Sequence, residues 1–83
     1  MDKNNVRVLL TGGSGFLGQV ILRELFDETS PIKTNMVRVY DRKKPPENAN
    51  NHQIEYIQGD LRDKQAVNEA CKGIDLVIHS AAI

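Results

Sequence analysis

The chain has 83 residues, which limits it to one domain with a modest core. Eleven Lys and Arg balance eleven Asp and Glu, so no overall field draws it to nucleic acid or to an anionic membrane surface. One cysteine, Cys71, excludes an internal disulfide framework, and no apolar run approaches the roughly 20 residues a spanning helix needs. The polar start MDKNN carries no secretory signal, so the expectation is a soluble, cytoplasmic protein with no membrane segment and no nucleic-acid partner.

VRVLL, residues 6–10, is an aliphatic run that stops at a glycine-rich turn, as a strand buried on both faces does. From Gly15 to about Thr29 the apolar residues Phe16, Leu17, Val20, Ile21, Leu25 and Phe26 recur at helical spacing, and Ser30-Pro31 closes the segment. MVRVYD, residues 36–41, reads as a second strand, and the proline- and asparagine-rich stretch after it as a loop. IEYIQGD is a third strand, with Ile54, Tyr56 and Gln58 on one face and Glu55 and Ile57 on the other. A second helix starts at Asp63, whose carboxylate can cap the first-turn amides, and carries Ala66, Val67, Ala70 and Cys71 on one face. Gly73 is placed to end it in a left-handed conformation. IDLVIHSAAI supplies a fourth strand.

The order β-α-β-β-α-β belongs to the α/β class, a Rossmann-type parallel sheet with flanking helices. Leu76, Val77 and Ile78 have the look of a central strand, yet nothing follows to cover it, and an open apolar edge is a liability. Residues 1–83 are therefore expected to be the amino-terminal part of a dinucleotide-binding domain, truncated after the fourth strand and without its substrate domain.

TGGSGFLG, residues 11–18, joins the first strand to the first helix and satisfies both G-x-G-x-x-G and T-G-x-x-G-x-x-G. The turn residues Gly12, Gly13, Ser14 and Gly15 and the first helical residues Phe16, Leu17 and Gly18 form a cradle for a pyrophosphate. Glycine permits positive φ and close main-chain approach, and the helix amino terminus offers free amides and a positive dipole end. No Gly-Lys-Ser or Gly-Lys-Thr follows, which argues against a nucleoside triphosphate. Asp41, closing the second strand, can accept from both hydroxyls of an adenosine ribose and would repel a 2′-phosphate. NAD is thus favoured over NADP, although the neighbouring Arg42 could pair with such a phosphate.

With these residues in place the whole chain resembles the start of an extended short-chain dehydrogenase/reductase. GDLRD is similar to that superfamily's acidic motif after the third strand, and VIHSAA to its fourth-strand segment. The resemblance implies that Asp60 binds the adenine amino group, that Leu61 borders the ring, and that Ala81 and Ala82 line the adenosine side. GFLGQ, ACKGIDLVIHSAAI and the long spacer before VRVYD resemble the 3β-hydroxysteroid dehydrogenase branch. That branch implies an NAD-dependent oxidation of a hydroxysteroid-like secondary alcohol as small-molecule substrate; a homodimer is one assembly open to such a protein, and the sequence leaves the oligomeric state undecided. Sugar-nucleotide epimerases and dehydratases share most of these features, and a non-enzymatic NAD(P) sensor would share the turn.

The superfamily's acid/base pair is a Tyr-x-x-x-Lys on one helix face. Tyr40 and Lys44 have that spacing, but a strand precedes them and Pro45 holds Lys44 out of the helical region, so their side chains diverge. Tyr40 also adjoins the ribose acid, at the wrong end of the cofactor. No catalytic residue is assigned within the chain, and the 83 residues by themselves are expected to be inactive. His79 reads as a hydrogen-bonded core histidine, Cys71 as a small core residue, His52 as a loop residue without metal partners, and Arg42-Lys43-Lys44 as solvated surface.

Overall fold

A computed structural model describes residues 5–12, 15–45 and 52–80. Among them are four strands, β1 (Val6–Thr11), β2 (Thr34–Asp41), β3 (Ile54–Gln58) and β4 (Leu76–His79), and two helices, α1 (Phe16–Leu25) after β1 and α2 (Lys64–Ala70) after β3. All strand pairs are parallel, and the order across the sheet is β3-β2-β1-β4. The chain therefore steps from β1 to β2 and β3 in one direction, and returns from β3 past both to pair β4 on the other side of β1.

That reversal puts the helices on opposite faces, because right-handed crossovers running in opposite directions cover opposite sides of a sheet. Side-chain alternation follows suit. Val6, Val8, Leu10, Val37 and Val39 form one buried cluster with Leu22 and Leu25 of α1, joined by Ile54 and Tyr56. Leu9 and Tyr40 point the other way and pack with Ala70 of α2, joined by Ile57, Leu61, Ala66, Val67 and Ile74. Each buried aliphatic side chain of β1 contributes about 1.5–3 kcal/mol, so this strand, buried along its length except at Arg7, anchors the domain.

Both helix ends follow from local chemistry. Asp63 caps α2, its Oδ1 accepting from the Ala66 amide at 3.1 Å. Beyond α2 a turn closes through Ile74 N–H to Cys71 O at 3.2 Å, with Gly73 at φ 74°, as expected of it. Arg38 reaches across from β2 to donate to the carbonyls of Ala70 (2.6 Å) and Lys72 (3.0 Å) at the α2 carboxyl end. A guanidinium there satisfies end carbonyls and complements the helix dipole.

Three sequence expectations are corrected. Helix α1 stops at Leu25 rather than near Thr29, because the Asp27 carboxylate captures the Thr29 amide (2.8 Å) and hydroxyl (2.6 Å) in a local turn. Phe16 and Leu17, placed on the buried stripe, are 89% and 59% exposed, and the face turned to the sheet is Gly18, Leu22 and Leu25. Cys71 is exposed, standing at the capping residue where the chain leaves α2. β4 lies at the sheet margin among the described residues, with Val77 half exposed, the uncovered apolar edge that the sequence suggests.

Candidate functional site

Parallel pairing gathers the carboxyl ends of all four strands on one side of the molecule. Gly12 leaves β1 there with φ 79°, a left-handed conformation that disfavours any side chain. Its amide donates to Tyr40 O (3.0 Å), extending the β1–β2 pairing, and its carbonyl accepts from Gly15 N–H (3.3 Å). On the far side, Ser80 donates through its amide (3.1 Å) and its hydroxyl (2.6 Å) to Thr11 O, tying the end of β4 to the same turn. The Thr11 hydroxyl, on a buried residue, shares a 2.7 Å hydrogen bond with His79 Nδ1. His79 is therefore hydrogen-bonded as expected, but at an exposed position rather than in the core.

Between these ends lies a cleft of about 690 Å³, bounded by Gly12, Gly15, Asp41, Asp60, Leu61 and Ser80, with Tyr40 and Gly59 at its floor and Arg42, Lys43 and Arg62 at its rim. It sits over β1 and between its two oppositely reached neighbours, the switch point at which open α/β sheets take their ligands. Helix α1 opens on this cleft. Its capping residue Gly15 supplies no side-chain acceptor and its first turn holds no acid, which leaves the leading amides available to an anion. A Cβ built on Gly15 would meet only Gly12 O, at 3.8 Å, so nothing among the described residues demands glycine there. The room it leaves opens into the cleft.

Asp41 stands at the end of β2 as anticipated. Its Oδ1 accepts from the Lys43 amide at 3.0 Å, and its carbonyl accepts from Gly59 N–H at 2.8 Å, so backbone bonds fix where the carboxylate sits. Asp60 follows β3. Arg62 grips its carboxylate through the amide (2.9 Å), Nε (3.1 and 3.2 Å) and Nη2 (2.7 Å). These hydrogen bonds, with Arg62's charge, hold Asp60 well below the usual carboxylate range, so it stays ionised in ordinary buffers. Leu61 packs beside it against the Tyr40 cluster.

Of the residues anticipated for the cofactor, Gly12, Gly15, Asp41, Arg42, Asp60 and Leu61 border one cleft. Gly13, Ser14, Ala81 and Ala82 lie outside the described residues. Phe16, Leu17 and Gly18 form the first turn of α1 without bordering the cleft. Tyr40 and Lys44 do not meet. Tyr40 is 1% exposed with its hydroxyl donating to Asp60 O at 2.9 Å, and Lys44 is exposed beyond the strand. Burial, followed by the Asp63 and Asp60 charges, pushes the Tyr40 phenol above its ordinary pKa, the reverse of what a proton-transfer tyrosine needs.

Sequence reasoning passed over Gly59, Arg62 and the structural use of Tyr40. The signals were a glycine set directly before a motif acid, an arginine two residues after it, and a tyrosine in an apolar strand whose hydroxyl required a partner.

The chain is 39% identical over 77 residues to a 3 beta-hydroxysteroid dehydrogenase/Delta 5-->4-isomerase of Mycobacterium tuberculosis, covering 93% of this chain and 19% of that protein. It superposes on the crystal structure of uronate dehydrogenase from Agrobacterium tumefaciens with a TM-score of 0.78 at 30% identity, over 96% of this chain and 27% of that one. A variant of the same enzyme complexed with NAD gives 0.75 at 30% identity, over 95% and 27%. The chain thus spans about a fifth to a quarter of the length of these relatives. The family model matches from Leu9 to the end of the fourth-strand segment, residues 9–83, and the chain belongs to the 3-beta hydroxysteroid dehydrogenase/isomerase family.

Proposed function

We propose that these residues hold the adenosine and pyrophosphate end of NAD, in a protein that oxidises a secondary alcohol. One observation carries the reading: the Asp41 carboxylate borders the same switch-point cleft as the glycine turn and the uncapped start of α1. A ribose diol fits between an acceptor so placed and amides suited to phosphate oxygens. Asp41 accepts from the ribose hydroxyls and opposes a 2′-phosphate, which makes NADP the weaker ligand. Asp60, kept ionised by Arg62, retains acceptor capacity for the adenine amino group, and Leu61 offers the ring an apolar border. Gly13 and Ser14 complete the phosphate turn and Ala81 and Ala82 the adenosine wall in this reading. NAD supplies the hydride acceptor, and the chain's own contribution is to bind and orient it.

The substrate is proposed to be a 3β-hydroxysteroid or similar secondary alcohol, from the family match and the named mycobacterial relative. A sugar-type substrate is the second reading, favoured by the superposition on a uronate dehydrogenase. NADH formation by the intact protein, followed with a panel of 3β-hydroxysteroids, uronates and nucleotide sugars, separates them. Turnover of hydroxysteroids alone supports the first reading, and turnover confined to the sugars overturns it.

A further inference from the structure

Tyr40 is tied to three of the segments that border the cleft. Its carbonyl accepts from the Gly12 amide at 3.0 Å, its chain neighbour is Asp41, and its hydroxyl donates to the Asp60 carbonyl at 2.9 Å. The ring is 1% exposed and packs with Leu9 and Ala70, with Ile57, Leu61, Ala66 and Val67 around them. Gly59 lies directly against it: a Cβ there would fall 2.6 Å from Tyr40 Cζ. The β3–α2 turn can thus descend onto β2 only as far as the phenol allows, and the phenol hydroxyl ends on the backbone of the turn's acid. A phenylalanine would fill the same space without that bond.

We infer that Tyr40 is a positioning residue that sets the height of the Asp60–Leu61 turn over Asp41, and so fixes the gap into which an adenosine fits. The inference rests on the dinucleotide reading above and names the residue that tunes it. The Asp60 carbonyl also accepts from the Asp63 amide at 3.0 Å, so losing the tyrosine hydroxyl does not leave it unsatisfied. Tyr40→Phe should therefore fold. What it loses is a tie between β2 and the turn, with no contact to the pyrophosphate side.

The experiment measures binding of NAD, AMP and nicotinamide mononucleotide to the intact protein and to Tyr40→Phe by calorimetry. With one neutral hydrogen bond at stake, the dissociation constants for NAD and AMP should both rise about 3- to 10-fold and that for nicotinamide mononucleotide should not move. A merely structural role would weaken all three alike or none. In the unaltered protein, AMP should shift the 13C resonance of Tyr40 Cζ and nicotinamide mononucleotide should leave it in place. Unchanged AMP affinity in Tyr40→Phe, or a Tyr40 resonance indifferent to AMP, overturns the assignment while the dinucleotide reading stands. Failure of the unaltered protein to bind either NAD or AMP overturns both.

Discussion

Replacing Gly59 by alanine tests the contact at the floor of the cleft. The new Cβ would lie 2.6 Å from Tyr40 Cζ and 2.8 Å from Cε2, where ordinary contact begins at 3.4 Å. Ring or turn must retreat by close to an ångström, but the ring is walled in by Leu9, Ala70 and their neighbours. Overpacking of this kind costs about 1–3 kcal/mol. The retreat also stretches the Tyr40–Asp60 hydrogen bond, worth about 0.5–1.5 kcal/mol net. Against these stands a gain of about 0.4–1 kcal/mol from the stiffer unfolded chain. The expected net loss is about 1–3 kcal/mol, read as a lower urea midpoint with an unchanged slope. A double-mutant cycle isolates the cause. In a Tyr40→Leu background the obstructing ring atoms are gone, and Gly59→Ala should cost almost nothing. Additive losses in the cycle, or a single variant within about 0.5 kcal/mol of the parent, would refute the steric account.

Two other perturbations probe separate parts of the fold. Asp63→Ala removes the acceptor for the Ala66 amide and should cost about 1 kcal/mol in urea unfolding, with Asp63→Asn recovering most of it. The raised Tyr40 phenol predicts an alkaline effect. Its folded pKa lies above the unfolded one of about 10, so its contribution is whole below that pH and is lost as pH rises through the folded value. Stability followed from neutral to strongly alkaline pH should fall less steeply in Tyr40→Phe than in the parent, and parallel curves would contradict the assignment.

The strands were legible because each is an aliphatic, β-branched run, three of them ended by glycine or an acid, and a parallel sheet demands such runs. Asp41 and the glycine turn were legible because their chemistry is carried by residue type at fixed spacing. Helix α1 was misphased for a physical reason. The residue that starts its buried face is Gly18, which carries no apolar signal, so Phe16 and Leu17 drew the stripe one step round the helix. Its end was hidden because Phe26 continues the period while Asp27 offers the chain a competing turn. The Tyr40–Gly59 contact joins β2 to the turn after β3, and no spacing along the chain reports a distance between them. Arg62's hold on Asp60 depends likewise on the turn that points both side chains the same way.

In the proposed reading Asp41 receives the ribose of NAD, and titration of the intact protein and of Asp41→Ala with NAD and NADP decides whether it does. Charge-assisted hydrogen bonds to the ribose hydroxyls are worth about 1.5–3 kcal/mol, so the variant should bind NAD about 10- to 100-fold more weakly. NADP binding should hold or improve as the repulsion of its 2′-phosphate disappears. An equal loss for both cofactors, or no loss for either, would contradict the claim.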